Sequence, residues 1–405
     1  MKRIYLDYAS LTPIDKEVKK VMMKYMGEEF GNPSSIHAVG VEAKNELGRS
    51  RKICSEFLNA HIDEVFFTGS GTEANNLAIM GTVEANFRKG IKYENQHVVV
   101  SSIEHSSVLE CAKVLSAKGV SMTYLNVDKN GLVLLGELKS ALNEKTVLVS
   151  VMMVNNEIGV VEPVRDIAKI IRDYNKKEKT NSEQSENVHN GKVIFHTDAS
   201  QSALYLELNV ETLGVDLLTI DSHKVNGPRG IALLYKKRGV EIDAVIHGGG
   251  QESGLRSGTE NLPAICGFAR ALEMAKATAK RKKESERIAL LRNEFEAKVL
   301  RAFPKSFAVS SSVERIPHIS NIVFPNIDNE YFVLCLDALG IYCSTKSSCL
   351  RDEDESYVLK AIGLEKSARG GSVRFSFGKW NKRSELPYIL KMILKCYNLG
   401  HGTLK

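Results

Sequence analysis

Between about residues 62 and 260, short apolar runs alternate with stretches of helical periodicity, and this alternation limits the possible folds more than any other feature. One helical stretch runs from Pro163, which can open a helix, to Tyr174, with apolar side chains at the spacing of a single helix face. Strand–helix alternation predicts an α/β fold with a mainly parallel sheet that helices cover on both sides. The candidate strands are EVFFTG, HVVVSS, SMTYLNV, TVLVSVMMV, KVIFHTDA, DLLTID and GIALLYKK.

The length of 405 residues predicts two domains, because it is too great for one small core. We assign residues 15–260 to a large domain. Residues 1–14 and 261–405 form a smaller α+β domain, which begins with a long helix at about 261–303. The polar stretch 176–192 contains a single Val as its only apolar residue and is predicted to be a surface loop.

Composition and charge argue against membrane and nucleic-acid partners. The chain is 43% hydrophobic and 26% charged, as in soluble enzymes, and no apolar run approaches the ~18 residues of a membrane span. The N-terminus lacks an apolar signal core, so we do not expect export. The net charge is +6, and the basic run Lys280–Lys283 fits a solvated helix face better than a nucleic-acid site.

Seven cysteines occur, and no pair has CxxC spacing. Most lie in apolar segments and are predicted to be buried, which indicates a reducing, cytoplasmic setting. Cys349 differs because its surroundings, CSTKSSCLRDEDES, are polar and loop-like. It is the candidate for an exposed, reactive thiol, with Cys343 as a competitor and an idle surface cysteine as the plain alternative.

Unusual polar residues follow several of the candidate strands. Gly69–Thr72 leads into a helix and could bind an anion, or could be a plain turn capped by Thr72. Asp198 ends another strand, where it could bind a ligand or cap a turn. Lys224 follows the strand DLLTID, where a desolvated amine suits Schiff-base formation, although the side chain could also extend to the surface.

The order of motifs along the chain is distinctive. A Gly-rich turn is followed by SSIEHSSV, VNNEIG, TDASQ, SHKVNGPRG, GGGQESGLRSGTEN and RFSFG. In this order the chain resembles the NifS/IscS-like cysteine desulfurases, which have the class V aminotransferase fold, from YLDYASLTP to about residue 380. The resemblance implies a type I pyridoxal-phosphate-dependent fold. It also implies conversion of L-cysteine to L-alanine, with the sulfur passing to an enzyme cysteine as a persulfide.

The resemblance also implies residue roles at a pyridoxal 5'-phosphate site. Lys224 would hold the cofactor as a Schiff base and move protons, Asp198 would pair with the pyridine nitrogen, and Gln201 would donate to the phenolic oxygen. His105 would lie over the ring as an acid or base, unless it is simply a histidine near a helix start. The phosphate would be held by Gly71, Thr72, Ser222, His223 and, from a partner subunit in a homodimer, Thr259.

Substrate binding and sulfur transfer complete the implied site. Asn156, which also borders the cofactor, and Arg374 would bind the substrate carboxylate, with Asn32 as a further candidate. Cys349, on a mobile polar loop, would take the sulfur and carry it to an acceptor protein. An iron–sulfur scaffold or a tRNA- or cofactor-thiolation protein would be that acceptor.

Three features depart from the family pattern. Asp221 stands where the family usually has a phosphate-binding serine, so either it points elsewhere and Ser222 substitutes, or phosphate binding differs. The loop CLRDEDESYVL is about one residue shorter and more acidic than expected. The chain runs from Arg374 only to Lys405, which suggests a curtailed scaffold-docking tail.

Two other functions stay open from the sequence. A selenocysteine lyase or an aminotransferase of the same fold would share the Lys224 and Asp198 pattern, although VNNEIG and Cys349 favour desulfuration. A non-enzymatic partner in a sulfur pathway would be a degenerate member of the family, and Asp221 is the one feature that suggests it.

Overall fold

The computed structural model describes residues 2–27, 29–181, 191–276, 278–346 and 355–402. In chain order the strands are β1 (Ile4–Tyr5), β2 (Val65–Thr68), β3 (His97–Ser101), β4 (Ser121–Leu125), β5 (Thr146–Ser150), β6 (Ile194–Asp198), β7 (Leu217–Asp221), β8 (Ala232–Lys236), β9 (Phe307–Ala308), β10 (Ile319–Val323), β11 (Ile341–Tyr342) and β12 (Ser372–Ser376).

The α-helices of the described residues follow the same order. They are α1 (Lys16–Met26), α2 (Ala38–Leu58), α3 (Gly71–Arg88), α4 (Ser106–Ala117), α5 (Leu135–Ala141), α6 (Val164–Asn181), α7 (Val210–Leu213), α8 (Leu262–Lys276), α9 (Thr278–Ala302), α10 (Asn329–Ala338), α11 (Tyr357–Ala361), α12 (Lys366–Arg369) and α13 (Leu386–Gly402).

The seven predicted strands are β2–β8, and they form one sheet in the order β2-β8-β7-β6-β5-β3-β4. The pairs from β4 through β3, β5 and β6 to β7 are parallel, whereas β8 runs antiparallel to both β7 and β2. Every residue of β2, β3, β5 and β7 is buried, as expected for strands covered on both faces. The predicted α/β class is confirmed.

Helix α6 confirms one helical prediction and corrects a loop prediction. It begins directly after Pro163 and buries Val164, Ile167 and Ile171 on one face. The helix continues to Asn181, so the first part of the stretch predicted as a loop, 176–192, is helical. Lys and Glu are good helix formers, so a polar run does not exclude a helix.

The C-terminal part builds two smaller sheets. Strands β9, β10 and β12 form an antiparallel sheet, while β1 pairs with β11. One large apolar cluster contains side chains of the main sheet and of α8, and a second contains those of β1, α9 and α13. The helix predicted at about 261–303 corresponds to α8 and α9 of the described residues, and these two parts pack in different clusters. The domain division at residue 260 stays a prediction.

The topology places several chain segments at one edge of the main sheet. Strands β3, β5, β6 and β7 are parallel, so their carboxyl ends lie together, where ligands bind in open α/β sheets. Strand β2 points the same way, because it and β7 are both antiparallel to β8. The start of α3, directly after β2, therefore lies at this edge. None of the helices in the described ranges combines the length and apolar character required to cross a bilayer.

Candidate active site

A cavity of about 180 Å³ lies at the carboxyl edge of the main sheet. Each segment that follows β2, β3, β5, β6 or β7 contributes to the cavity wall. Arg374, on β12 of the three-stranded sheet, also lines the cavity. The predicted site residues that line this cavity are Gly71, Thr72, His105, Asn156, Asp198, Gln201, His223, Lys224 and Arg374.

Lys224 ends a short 3-10 turn that follows β7. Its Nζ donates to the backbone carbonyls of Ala9 and Ser10, both at 2.7 Å. Burial lowers the pKa of this amine to about 8, although the nearby carboxylate of Asp221 acts in the opposite direction. A lysine amine that loses its proton near neutral pH can act as a nucleophile and as a base.

Asp198 is fixed at the end of β6 by two hydrogen bonds. Asn75 Nδ2 donates to its Oδ2 at 2.8 Å, and the Ser200 amide donates to its Oδ1 at 2.9 Å. Asn75 Nδ2 also donates to Ser107 Oγ at 2.9 Å, which links Asp198 to the start of α4. The carboxylate is therefore held in one orientation at the cavity wall.

His105 is both a helix cap and a cavity residue. Its Nδ1 accepts from the Ser107 amide at 3.2 Å, which caps the start of α4. His105 is therefore also a histidine at a helix start, the alternative interpretation of this residue. Burial lowers the pKa of this imidazole, with Lys224 contributing in the same direction. Because Nδ1 accepts a backbone hydrogen bond, the neutral ring carries its proton on Nε2.

Helix α3 begins at one end of the cavity. Ser70, rather than Thr72, is its N-cap, and its side chain accepts from the Glu73 amide at 3.1 Å. Thr72 and Gly71 line the cavity in the first turn, where helix amides and the helix dipole favour an anion. Arg256 bonds to Glu73 at 2.9 Å and ties the RSGTEN segment to this end.

Asp221 also lines the cavity at this end. Its Oδ2 accepts from the Gly71 amide at 2.7 Å, and its Oδ1 lies 2.5 Å from His223 Nδ1. Asp221 does not point elsewhere. Ser222, by contrast, is fully buried against Gly227 and does not line the cavity, so the structure does not bring this predicted residue to the site.

Arg374 lies between β12 and the segment after β5. Its guanidinium donates to the Asn156 carbonyl at 2.8 Å and to Asp7 Oδ1 at 2.9 Å. Arg374 Nε and Asn156 Oδ1 are buried and find no hydrogen-bond partner among the described residues. The unpaired Arg374 Nε–H can donate to a small carboxylate, whereas the unpaired Asn156 Oδ1 can only accept a hydrogen bond from a donor.

Gln201 is held by protein groups on both sides. Its Nε2 donates to the Ala9 carbonyl at 2.8 Å, and its Oε1 lies 3.3 Å from His318 Nε2. The amide lines the cavity beside Lys224, which shares the Ala9 carbonyl. The predicted bond from Gln201 to a ring oxygen stays a prediction.

Besides Ser222, two predicted residues lie outside the cavity wall, and one lies outside the described residues. Asn32 is exposed and accepts from the Ser34 amide at 2.9 Å, and Thr259 is exposed as well. Neither lines the cavity in a single chain. Cys349 falls in the stretch 347–354, outside the part of the chain that the structure describes.

The six described cysteines are free thiols, and most are buried as predicted. Burial raises the pKa of Cys54, Cys111 and Cys266 to about 12. The pKa of Cys343, the competitor for the reactive thiol, is also raised by burial. A thiol of raised pKa carries little thiolate and is a poor nucleophile at neutral pH. None of the described cysteines lines the cavity.

Sequence reasoning missed several residues that position the site. These are Asp7, which pairs with Arg374, Asn75 and Ser107, which orient Asp198 and His105, and the carbonyls of Ala9 and Ser10, which hold Lys224. One signal was available for Asn75, because it lies one helical turn after Gly71 and so shares its helix face. The carbonyl contacts of Ala9 and Ser10 carry no residue-type signal.

Comparison with known proteins agrees with this geometry. The family described as Aminotransferase class-V matches residues 4–177 and 180–389. "Cysteine desulfurase IscS" of Dictyoglomus turgidum is 38% identical over 97% of this chain and 94% of its own length, and that of Methanosarcina thermophila is 37% identical over 97% and 91%. A solved structure titled "NIFS-LIKE PROTEIN" superposes with a TM-score of 0.88 at 32% identity, covering 98% of this chain and 100% of that one.

Proposed function

The chain belongs to the class V aminotransferase family, and from this premise we propose that it is a pyridoxal-phosphate-dependent cysteine desulfurase that acts on L-cysteine. One observation carries the proposal. The amine of Lys224, with its lowered pKa, shares one cavity with Asp198, His105 and Arg374. The names of the curated relatives support the same activity.

The residues of the cavity fit the ring and the aldehyde of the cofactor. Lys224 supplies the amine for the covalent bond, the fixed carboxylate of Asp198 suits a protonated pyridine nitrogen, and His105 suits the ring face. Once bound, pyridoxal phosphate supplies an electron sink for the substrate carbons. The cofactor's phosphate would lie at the start of α3. At this end of the cavity the Asp221 carboxylate already accepts from the Gly71 amide.

The chain's own residues have distinct tasks in the proposed reaction. Arg374 and Asn156 bind the substrate carboxylate and orient the α-carbon toward Lys224. Lys224 Nζ removes the α-proton and returns a proton to the β-carbon, and His105 holds a proton on Nε2 for the transfers between them.

The sulfur step needs a nucleophile from the protein. We propose that the Cys349 thiolate attacks the substrate sulfur, and the electrons of the carbon–sulfur bond return to the β-carbon, which takes up a proton. One L-cysteine and one enzyme thiol then become one alanine and one enzyme persulfide, so no oxidant or reductant is required. The raised pKa of the buried cysteines supports this assignment, because it leaves them as poor nucleophiles.

A Cys349→Ser variant tests the function and the role together. We expect the wild-type chain to release alanine from L-cysteine in the presence of a thiol reductant, as measured by amino-acid analysis and sulfide assay. The variant should keep the absorbance of lysine-bound cofactor but lose at least about 90% of alanine and persulfide output, because no other thiol reaches the site.

Cys335→Ser is the matched control, because Cys335 is only partly buried and does not line the cavity. It should retain wild-type output. Full persulfide formation by Cys349→Ser would contradict the role of Cys349. The absence of alanine from the wild-type chain loaded with cofactor would contradict the proposed function itself.

We further propose that the chain acts as a homodimer in a reducing, cytoplasmic setting and passes its persulfide sulfur to an acceptor protein. Between residues 23 and 41, Met23, Met26, Phe30 and Ile36 are exposed, and Ile36 is 98% exposed. Exposed apolar side chains this close together are typical of an interface. A pull-down with the Cys349 persulfide trapped would distinguish an iron–sulfur scaffold from a thiolation protein as the acceptor.

A further inference from the structure

The end of the cavity beside α3 already holds an anion that belongs to the protein. Asp221 is only 5% exposed, and three nitrogen atoms lie within hydrogen-bond distance of its two carboxylate oxygens. Oδ2 accepts from the Gly71 amide at 2.7 Å, while Oδ1 accepts from the His223 amide at 3.1 Å and lies 2.5 Å from His223 Nδ1. The carboxylate therefore occupies the first free amide of the helix and one side of the imidazole.

No gap separates this carboxylate from the helix. A Cβ built on Gly71 would lie 2.9 Å from Asp221 Oδ2 and 3.2 Å from Asp221 Cβ, so the side chain packs directly on the glycine backbone. A phosphate oxygen cannot enter between the Gly71 amide and Asp221 in this arrangement. It can approach only from the cavity side, toward Thr72 and the free edge of His223.

The carboxylate is also ionised. Burial alone would raise the pKa of Asp221, but the hydrogen bond and charge of His223 and the Gly71 amide outweigh burial and lower it. Lys224 is another basic group near this end, and burial lowers the pKa of its amine. A second anion at this end therefore meets the fixed negative charge of Asp221, which works against the attraction of the first turn of α3.

We infer that Asp221 is a specificity-determining residue that competes with the cofactor's phosphate for the Gly71 amide and His223. The cavity then discriminates only weakly between pyridoxal phosphate and phosphate-free pyridoxal, and it holds the cofactor mainly through Lys224, Asp198 and His105. This inference rests on the proposed function, since it concerns the same cofactor site.

Two substitutions separate charge from shape. Asp221→Ser removes the anion and frees the Gly71 amide, and Asp221→Asn keeps the size of the side chain but removes its charge. Both should tighten pyridoxal phosphate binding, by about tenfold or more for Asp221→Ser, and leave pyridoxal binding within about twofold. The ratio of the two affinities is the informative quantity, because a change in fold or in Lys224 would alter both.

The measurement is equilibrium dialysis of the full-length chain against graded concentrations of pyridoxal phosphate or of pyridoxal. The bound fraction is obtained from the absorbance of lysine-bound cofactor after borohydride reduction. Asp63→Asn is the matched control, since Asp63 pairs with Arg238 on the surface and does not line the cavity. It should leave both affinities unchanged.

The possible outcomes are distinct. A selective gain for pyridoxal phosphate in Asp221→Ser supports the inference. A selective loss would overturn it, because Asp221 would then aid phosphate binding by orienting His223, and an unchanged ratio would overturn it as well. Failure of the wild-type chain to bond either aldehyde at Lys224 would instead contradict the proposed function.

Discussion

Lys224 shows how the environment changes the chemistry of one residue. Two backbone carbonyls, of Ala9 and Ser10, accept from its amine inside a cavity that removes it from bulk water. Burial lowers its pKa from 10.5 to about 8, so far more of the amine is neutral at the pH of a cell than for an ordinary lysine. The neutral form is the one that attacks an aldehyde.

This lowered pKa predicts a pH dependence for cofactor capture. The rate of pyridoxal phosphate bonding to the cofactor-free chain should rise with pH and level off above about pH 8. The amine of Nα-acetyl-lysine, with an ordinary pKa, should show a rise that continues by about two further pH units. Stopped-flow absorbance measures both, and a protein profile that continues to rise like the free amine would disprove the assigned environment.

Arg374 predicts an effect on substrate binding. Arg374→Lys removes the planar fork that receives a carboxylate, so the KM for L-cysteine should increase by about tenfold or more, with a smaller change in kcat. Arg383→Lys, in a surface ion pair with Glu294, is the control and should change neither constant. An unchanged KM in Arg374→Lys would show that the substrate carboxylate binds elsewhere.

Residue types that carry chemistry could be recognised from the sequence, whereas their supports could not. Lys224, Asp198 and His105 stand out because they follow apolar strands. The carbonyls that hold Lys224 belong to Ala9 and Ser10, whose side chains have no part in the contact. Ser222 shows the converse, since this motif neighbour of Lys224 is buried against Gly227 and does not line the cavity.

At the scale of elements, the site is built from the segments that follow the strands of the main sheet. Six strands of the main sheet run in the same direction, and five of them, β2, β3, β5, β6 and β7, are each followed by a segment that lines the cavity. Helix α3 starts at the same edge, and its first turn is fixed by the bond from the Glu73 amide to Ser70 Oγ at 3.1 Å. Rigid elements thus position loops that carry the functional groups.

The cap of α3 gives a stability prediction. Ser70→Ala leaves the Glu73 amide without its acceptor, so the free energy of unfolding should fall by about 1 kcal/mol. Ser70→Thr keeps a hydroxyl at this position and should remain close to wild type. Urea unfolding followed by circular dichroism compares the two, and equal midpoints for Ser70→Ala and the wild-type chain would contradict the capping role.

At the scale of the whole molecule, the proposed homodimer would bury the exposed apolar side chains between residues 23 and 41. Ile36→Asp should then shift the mass in multi-angle light scattering toward that of one chain, because a charge would be buried at the interface. Leu290→Asp, a change of another exposed leucine-sized residue on α9, should keep the wild-type mass. A dimer that persists in Ile36→Asp would exclude this segment as the interface.

The sequence by itself determined the α/β class, the seven strands of the main sheet and the residues with chemical character, because period and apolar pattern are local properties of the chain. Only the tertiary structure decided that β8 runs antiparallel, that the two described parts of the helical stretch 261–303 pack in different clusters, and that Asp221 faces the cavity while Ser222 does not. These outcomes depend on which distant segments meet. Such pairings are set by packing and hydrogen bonding across the fold, and no local pattern records them.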